Sequence, residues 1–433
     1  MKTFKTNLLA ALGGSLGAIL PLAAQQNVTI DDEVPNSLVI VSMDDAGNEL
    51  VEVMQTSQLP HVHDPQTPRF ILTDREGNFA LGIGGYVRTV ASYDFDGLVD
   101  DIDFIPASIP NQSAVDNQIQ MDATTANIFL KLVGNSPLLG DFIVHTEGNF
   151  RGAGNTFKLR NAYLSFSGLT IGYTYGGFMD ASAMPSTIDF QGPNGATFYR
   201  TTQLAYLYSG LRNFKINLSI EMPQVNATTG EHLLVTRQYK PNFTLYTQYN
   251  WAENSHLRLA GIIRSMTYTN TTTSEKDDVL GYGVQASTTF ALGPVNLFGQ
   301  FTYGKGIGEY FNDLGELNVD LVEDPKNENK LQALPMMGWY AGAQYNISPT
   351  LFVSGTYSMS RLFSENGYEA IATNNYHYGQ YVAANIFWKT TDNLQLGAEY
   401  LHGWRTNFDH SDKQANRINL MANRINLMAK FSF

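Results

Sequence analysis

From Asn78 onward, apolar and polar residues alternate in a series of segments, each about as long as the 9 to 11 residues that carry a tilted strand across a bilayer. In the first, Phe79, Leu81, Ile83, Val87, Ala91, Tyr93 and Phe95 share one face, and Gly84, Tyr86, Arg88, Ser92 and Asp94 share the other. Strand side chains point to opposite faces in turn, so the pattern describes a strand with one oily and one polar surface. Phe214-Ile216-Leu218-Ile220 against Lys215-Asn217-Ser219-Glu221 repeats it, as does Leu394-Leu396-Ala398-Tyr400 against Gln395 and Glu399. Sixteen such segments start near residues 79, 121, 141, 157, 169, 199, 214, 242, 256, 279, 295, 336, 351, 377, 394 and 423.

The connections between segments also alternate. One set is short, including "SG" at 167, "GLRN" at 210, "GP" at 293 and "SPT" at 348, and the other is mostly long and polar. An even number of strands with short turns at one end and long loops at the other predicts a 16-stranded antiparallel transmembrane β-barrel. A soluble sandwich would show the same alternation. The loop asymmetry, aromatic residues near segment ends (Tyr93, Tyr173, Trp251, Trp388, Trp404) and the terminal Phe433 favour the membrane.

The chain ends by repeating seven residues, Ala415–Met421 and then Ala422–Met428. Seven is odd, so one unbroken strand through both copies would exchange its faces midway. The second copy alone closes a two-faced strand, with Ile425, Leu427, Ala429 and Phe431 outward and Arg424, Asn426 and Lys430 inward. The first copy is expected to sit in the last outer loop or to join the wall through a bulge near Met421-Ala422.

Residues 1–24 read as a signal peptide, with Lys2 and Lys5 ahead of an uncharged apolar run. Residues 25–77 form a periplasmic N-terminal extension with a possible hairpin turning at Asp45-Ala46-Gly47-Asn48, and residues 78–433 form the barrel. His61 and His63 lie in a solvated linker and lack a third metal ligand. The net charge of -13 argues against nucleic acid as a partner. With 38 Gly, 23 Tyr and 25 Phe, the composition is that of strands and turns, and there is no cysteine. No cofactor is expected: metal-ligand clusters, phosphate loops and nucleophile elbows are absent from the sequence.

A pore selects by the width and charge of its narrowest point. The connection at 177–198 carries Phe178, Met179, Met184, Ile188 and Phe190, an apolar content that points to packing inside the lumen as a constriction, with Asp180 and Asp189 as acidic groups there. A loop lying over the rim or clasping a neighbouring subunit is the alternative. Arg88, Arg160, Arg258, Arg264 and Arg424 fall on the inward parity, with Arg151 and Arg200 at strand margins. Converging guanidiniums would guide carboxylates, whereas isolated ones would pair with Glu147, Glu221, Glu399 and Asp94 across the wall. The outer loops, acidic at Asp96–Asp103 and Glu309–Glu328, read as solvated.

The stretches "LGIGGYVRTVASYDFD" at 81, "TEGNFRG" at 146, "FKLRNAYLSF" at 157 and "GGFMDASAMPSTIDFQGPNGATFYRTTQLAYLYSG" at 176 resemble the DcaP-like family of trimeric outer-membrane porins. The resemblance implies a homotrimer embedded in outer-membrane lipid of a Gram-negative bacterium, and passive uptake of small anionic solutes such as dicarboxylates. Such porins often carry a heptad-patterned coiled coil before the barrel, and residues 25–68 show no such pattern. A surface adhesin and a barrel-embedded lipid hydrolase are the competing readings. The second lacks a serine at a recognisable motif near His145 or His402.

Overall fold

The computed structural model describes residues 78–433 except 100–101, 112–116, 253 and 410–419, together with short pieces at 4–7, 25–28, 39–42, 68 and 70–73. The signal peptide's apolar run, the hairpin turn at 45–48 and the linker histidines lie outside the described residues. Sixteen antiparallel strands close into one barrel. They are β1 (Phe79–Phe95), β2 in two pieces (Gln118–Asp122 and Asn127–Ser136), β3 (Gly140–Asn149), β4 (Lys158–Phe166) and β5 (Leu169–Tyr175). Next come β6 (Arg200–Leu211), β7 (Phe214–Glu221), β8 (Asn242–Ala252), β9 (Ser255–Asn270), β10 (Lys276–Leu292) and β11 (Val295–Lys305). The last five are β12 (Pro335–Ser348), β13 (Leu351–Leu362), β14 (Tyr376–Lys389), β15 (Leu394–Asn407) and β16 (Met421–Ser432).

Closure is made by β16 on β1, with Asn423 opposite Phe95 and Ser432 opposite Tyr86. The closing strand starts at Met421, opposite Trp404, and runs to Phe431, opposite Leu394, without a register shift. No bulge at Met421-Ala422 is needed, because the wall takes in the second copy of the repeat and only the last residue of the first. Residues 415–419 lie outside the described residues. Val39–Ser42 pairs antiparallel with Phe70–Thr73, which pairs in turn with Ala80–Ile83 of β1 just beyond the end of β16.

The turns at one end are tight. Ser167 (φ 47°) and Gly168 (φ 82°) both have positive φ, the conformation that matches a two-residue hairpin to the strand twist. The wall faces its surroundings as its alternation requires: Leu218, Leu257, Ile263, Val284 and Leu427 project outward, while their neighbours Asn217, Arg264, Gln285 and Asn426 are buried inside. A barrel interior of this strand number would be wide if empty. Here much of it is occupied.

The largest apolar cluster lies within the mouth of the barrel. Ile105 of L1 (residues 96–117), Phe178 of L3 (176–199), Tyr310, Phe311 and Leu314 of L6 (306–334) and Tyr368 of L7 (363–375) pack with wall residues Ile262 and Leu362. The acidic sixth loop is solvated only in part: Asp313 and Asp320 are 2% and 0% exposed, whereas Glu316, Glu323 and Glu328 remain at the surface. The apolar residues between and around the two aspartates bury that part of the loop, and burial of a carboxylate requires partners.

Candidate functional site

L3 leaves the wall at Gly176 and travels along its inner surface. Gly177 donates its N–H to Glu221 Oε1 of β7 at 2.7 Å. Arg258 of β9 donates to the Met179 carbonyl at 2.7 Å, and Tyr340 of β12 to the Ala183 carbonyl at 3.0 Å. Asn385 of β14 reaches the Ser186 carbonyl at 2.8 Å. Each of these wall groups sits on the face opposite the outward apolar residues, so the loop lies in the lumen and not over the rim. On its return Gly195 donates to Ser358 Oγ at 2.8 Å. A Cβ at Gly195 would collide with the Met359 carbonyl and the Trp339 backbone, so only glycine lets the two chains come this close.

The tip of the loop is held by β15 and β1. Glu399 Oε2 accepts the Ile188 N–H at 2.7 Å and Oε1 accepts the Asp189 N–H at 2.6 Å. Arg88 donates to the Ile188 carbonyl, to Thr125 Oγ1 at 3.0 Å and to Met428 Sδ at 3.4 Å. Phe190 projects beyond this point among three guanidiniums: Arg88, Arg151 and Arg160 lie 5.8, 5.4 and 4.8 Å from its ring centre. Such a ring face attracts cations and helps to gather them. Arg151 pairs with Asp103 of L1 at 2.5 Å, and Arg160 with Glu147 at 3.3 Å.

Asp180 and Asp189 turn toward the wall and neighbouring loops. Asp180, 1% exposed, accepts from His256 Nε2 and Ser287 Oγ at 2.7 Å each and lies 3.4 Å from Arg258. Burial alone would raise its pKa, but Arg258 and then His256 hold the carboxyl well below the usual range. Asp189, 2% exposed, accepts the Phe104 N–H of L1 at 3.0 Å and the Tyr381 hydroxyl at 3.1 Å. Both act as anchors of folded loops. Phe178 is likewise buried, 5.8 Å edge-on from Tyr310.

The arginines expected to line the lumen divide into groups. Arg88 and Arg160 meet near Phe190, with Arg151 added by L2 (150–157). Arg200 donates to Tyr175 Oη at 2.6 Å and stacks on Tyr175 and Phe198. Arg258 stacks on Tyr246 at 4.2 Å beside L3. Arg264 is 1% exposed, pairs with Asp320 at 3.2 Å and stacks on Tyr310, so it belongs to the packed L6 core rather than to an open surface. Glu221 and Glu399 receive backbone N–H groups of L3 in place of the arginine partners expected for them.

Beside the start of L3 a cavity of about 320 Å³ remains, lined by Tyr163, Thr174, Gln203 and Asn217 of the wall and by Met179 and Ser182 of the loop, with Arg258 at its side. The cavity is bounded by β3–β9, whereas L3 is bonded to β9, β12, β14 and β15. Sequence separation hid this arrangement: Phe190, Arg151 and Arg88 come from three distant stretches, and only the apolar content of L3 announced that it would be buried.

The model of the DcaP outer membrane protein family matches residues 67–427. The outer membrane channel DcaP of Acinetobacter baumannii superposes with a TM-score of 0.71 at 21% identity, covering 83% of this chain and 98% of that one. The anion-selective porin from Comamonas acidovorans gives 0.52 at 10% identity, over 82% of this chain and all (100%) of that one. The in-vitro folded OmpT of Vibrio cholerae, in its trimer form, gives 0.52 at 12% identity with the same shares, 82% and 100%. No match is found among curated protein sequences. At these identities the solved structures attest the barrel fold, and the family match covers most of the chain: the protein belongs to the DcaP outer membrane protein family, in the outer membrane of a Gram-negative bacterium.

Proposed function

We propose that this porin-fold channel admits small hydrophilic solutes by passive diffusion, prefers anions such as dicarboxylates, and works as a homotrimer. The observation that carries the anion reading is the approach of Arg151 and Arg160 to Phe190, together with Arg200 stacked on Tyr175 and Arg258 on Tyr246, both tyrosines lining the cavity beside L3. A guanidinium keeps its charge at every accessible pH and offers a carboxylate two parallel N–H donors. Asp103, Glu147 and Asp180 offset part of this charge through the pairs with Arg151, Arg160 and Arg258. The similarity to an anion-selective porin and to a trimeric one supports the same reading. Reversal potentials in a salt gradient test it: anion selectivity that falls on Arg160→Gln or Arg200→Gln is expected, and cation selectivity of the wild-type chain would refute it.

A further inference from the structure

The tip of L3 is gripped on both sides of a single peptide unit by groups that the transport reading does not use. Glu399 stands on β15, 3% exposed, and spends all its accepting capacity on four donors. Two are the Ile188 and Asp189 N–H groups, and two are side-chain amides: Asn426 Nδ2 at 3.1 Å to Oε1 and Asn385 Nδ2 at 3.1 Å to Oε2. From the other side Arg88 of β1 donates to the Ile188 carbonyl. It also donates to Thr125, in the break between the two pieces of β2, and to Met428 of β16. These are neutral groups of the wall. Arg88 thus spans the barrel seam, β16–β1–β2, and ties the tip to it.

We propose that Glu399 and Arg88 are positioning residues that set the width of the pore: they clamp the peptide at Ile188 and thereby fix how far L3 reaches across the lumen. This rests on the reading of L3 as the constriction. Ile188 stands midway along L3 (176–199), the point least held by the strand ends, so its release displaces the loop most. The clamp also carries L1 with it, because Asp189, fixed through its N–H by Glu399, binds the Phe104 N–H with its carboxylate. Arg88 is accordingly a holder of the loop, and its substitution changes pore size more than ion preference.

Glu399→Gln is the incisive variant. It keeps the shape but replaces one accepting oxygen by an NH2 group, which cannot accept from a backbone N–H, so either Ile188 or Asp189 loses its partner. The chain has no cysteine, so Thr187→Cys, at a position 2% exposed beside the tip, gives a unique label for loop position. The full-length protein is reconstituted in planar bilayers, and the cysteine is challenged with a charged thiol reagent. Glu399→Gln is expected to raise single-channel conductance toward that of a chain shortened between residues 181 and 194, and to speed modification at 187. Should Glu399→Gln misfold, Arg88→Lys, which keeps the charge but loses the fork, must give the same two shifts. Unchanged conductance and modification rate in either folded variant, while the shortened loop still raises conductance, overturns the clamp and leaves the constriction standing. Unchanged conductance in the shortened loop removes the constriction, and the clamp falls with it as a determinant of pore width.

Discussion

Tyr376 has one hydroxyl proton and two acceptors in reach, the Asp313 carboxyl and the Ser360 carbonyl at 3.0 Å. When the proton goes to Ser360, Asp313 faces a lone pair and is best served by carrying a proton itself. Burial pushes Asp313 up to about 6, and burial with Asp320 nearby pushes Glu309 up to about 7. A carboxyl whose folded pKa is raised binds its proton more tightly when the loop is docked, so its contribution is present at low pH and lost as pH rises through the folded value. Docking of L6 should therefore weaken progressively as pH rises from about 4 to about 7. Current fluctuations or loop proteolysis should rise across that window, and Asp313→Asn, which mimics the neutral form, should blunt the rise. A flat response from pH 5 to 8 would contradict this. Asp180 behaves oppositely, being a paired anion. Removing it as Asp180→Ala strands Arg258 and His256 and should cost L3 docking on the order of 3 kcal/mol, measured as faster hydrogen exchange of the loop amides with the barrel unchanged.

Among the elements, the wall was legible because alternation is a local signal that the environment enforces at every position. The segments expected near 169, 214, 242 and 351 begin at Leu169, Phe214, Asn242 and Leu351. The break in β2 was not legible: Ala123-Thr124-Thr125-Ala126 holds no glycine or proline, and the interruption depends on Asp122 Oδ1 accepting from Thr124 and on Arg88 reaching Thr125. The burial of L6 could have been read from Ile307, Tyr310, Phe311 and Leu314, as that of L3 was from Phe178 and Ile188, but its acidic residues masked the apolar ones. Which partner each loop aspartate would find is a tertiary matter that spacing does not encode. For the closing element, β16 is complete from Met421. Deleting one copy of the seven-residue repeat leaves "QANRINLMAKFSF" to close the barrel, and the shortened protein should still insert, resist denaturation and conduct. Failure to assemble would mean that the first copy, not just the second, belongs to the wall.

At the scale of the whole molecule, L1, L3, L6 and L7 share one apolar core inside the mouth, and buried aspartates join them: Asp189 binds L1 at Phe104, and Asp313 binds L1 at Ala107 (2.8 Å) and L3 at Asn194 (3.0 Å). The loops are therefore joined into one packed body inside the sixteen-stranded wall, beside a cavity of about 320 Å³ bounded by β3–β9. The measurement that tests this account most directly is the current through the purified full-length protein in a planar bilayer separating unequal KCl solutions. The account predicts a steady open conductance with a reversal potential on the anion-selective side. Absence of conductance, or a cation-selective reversal potential, would contradict it.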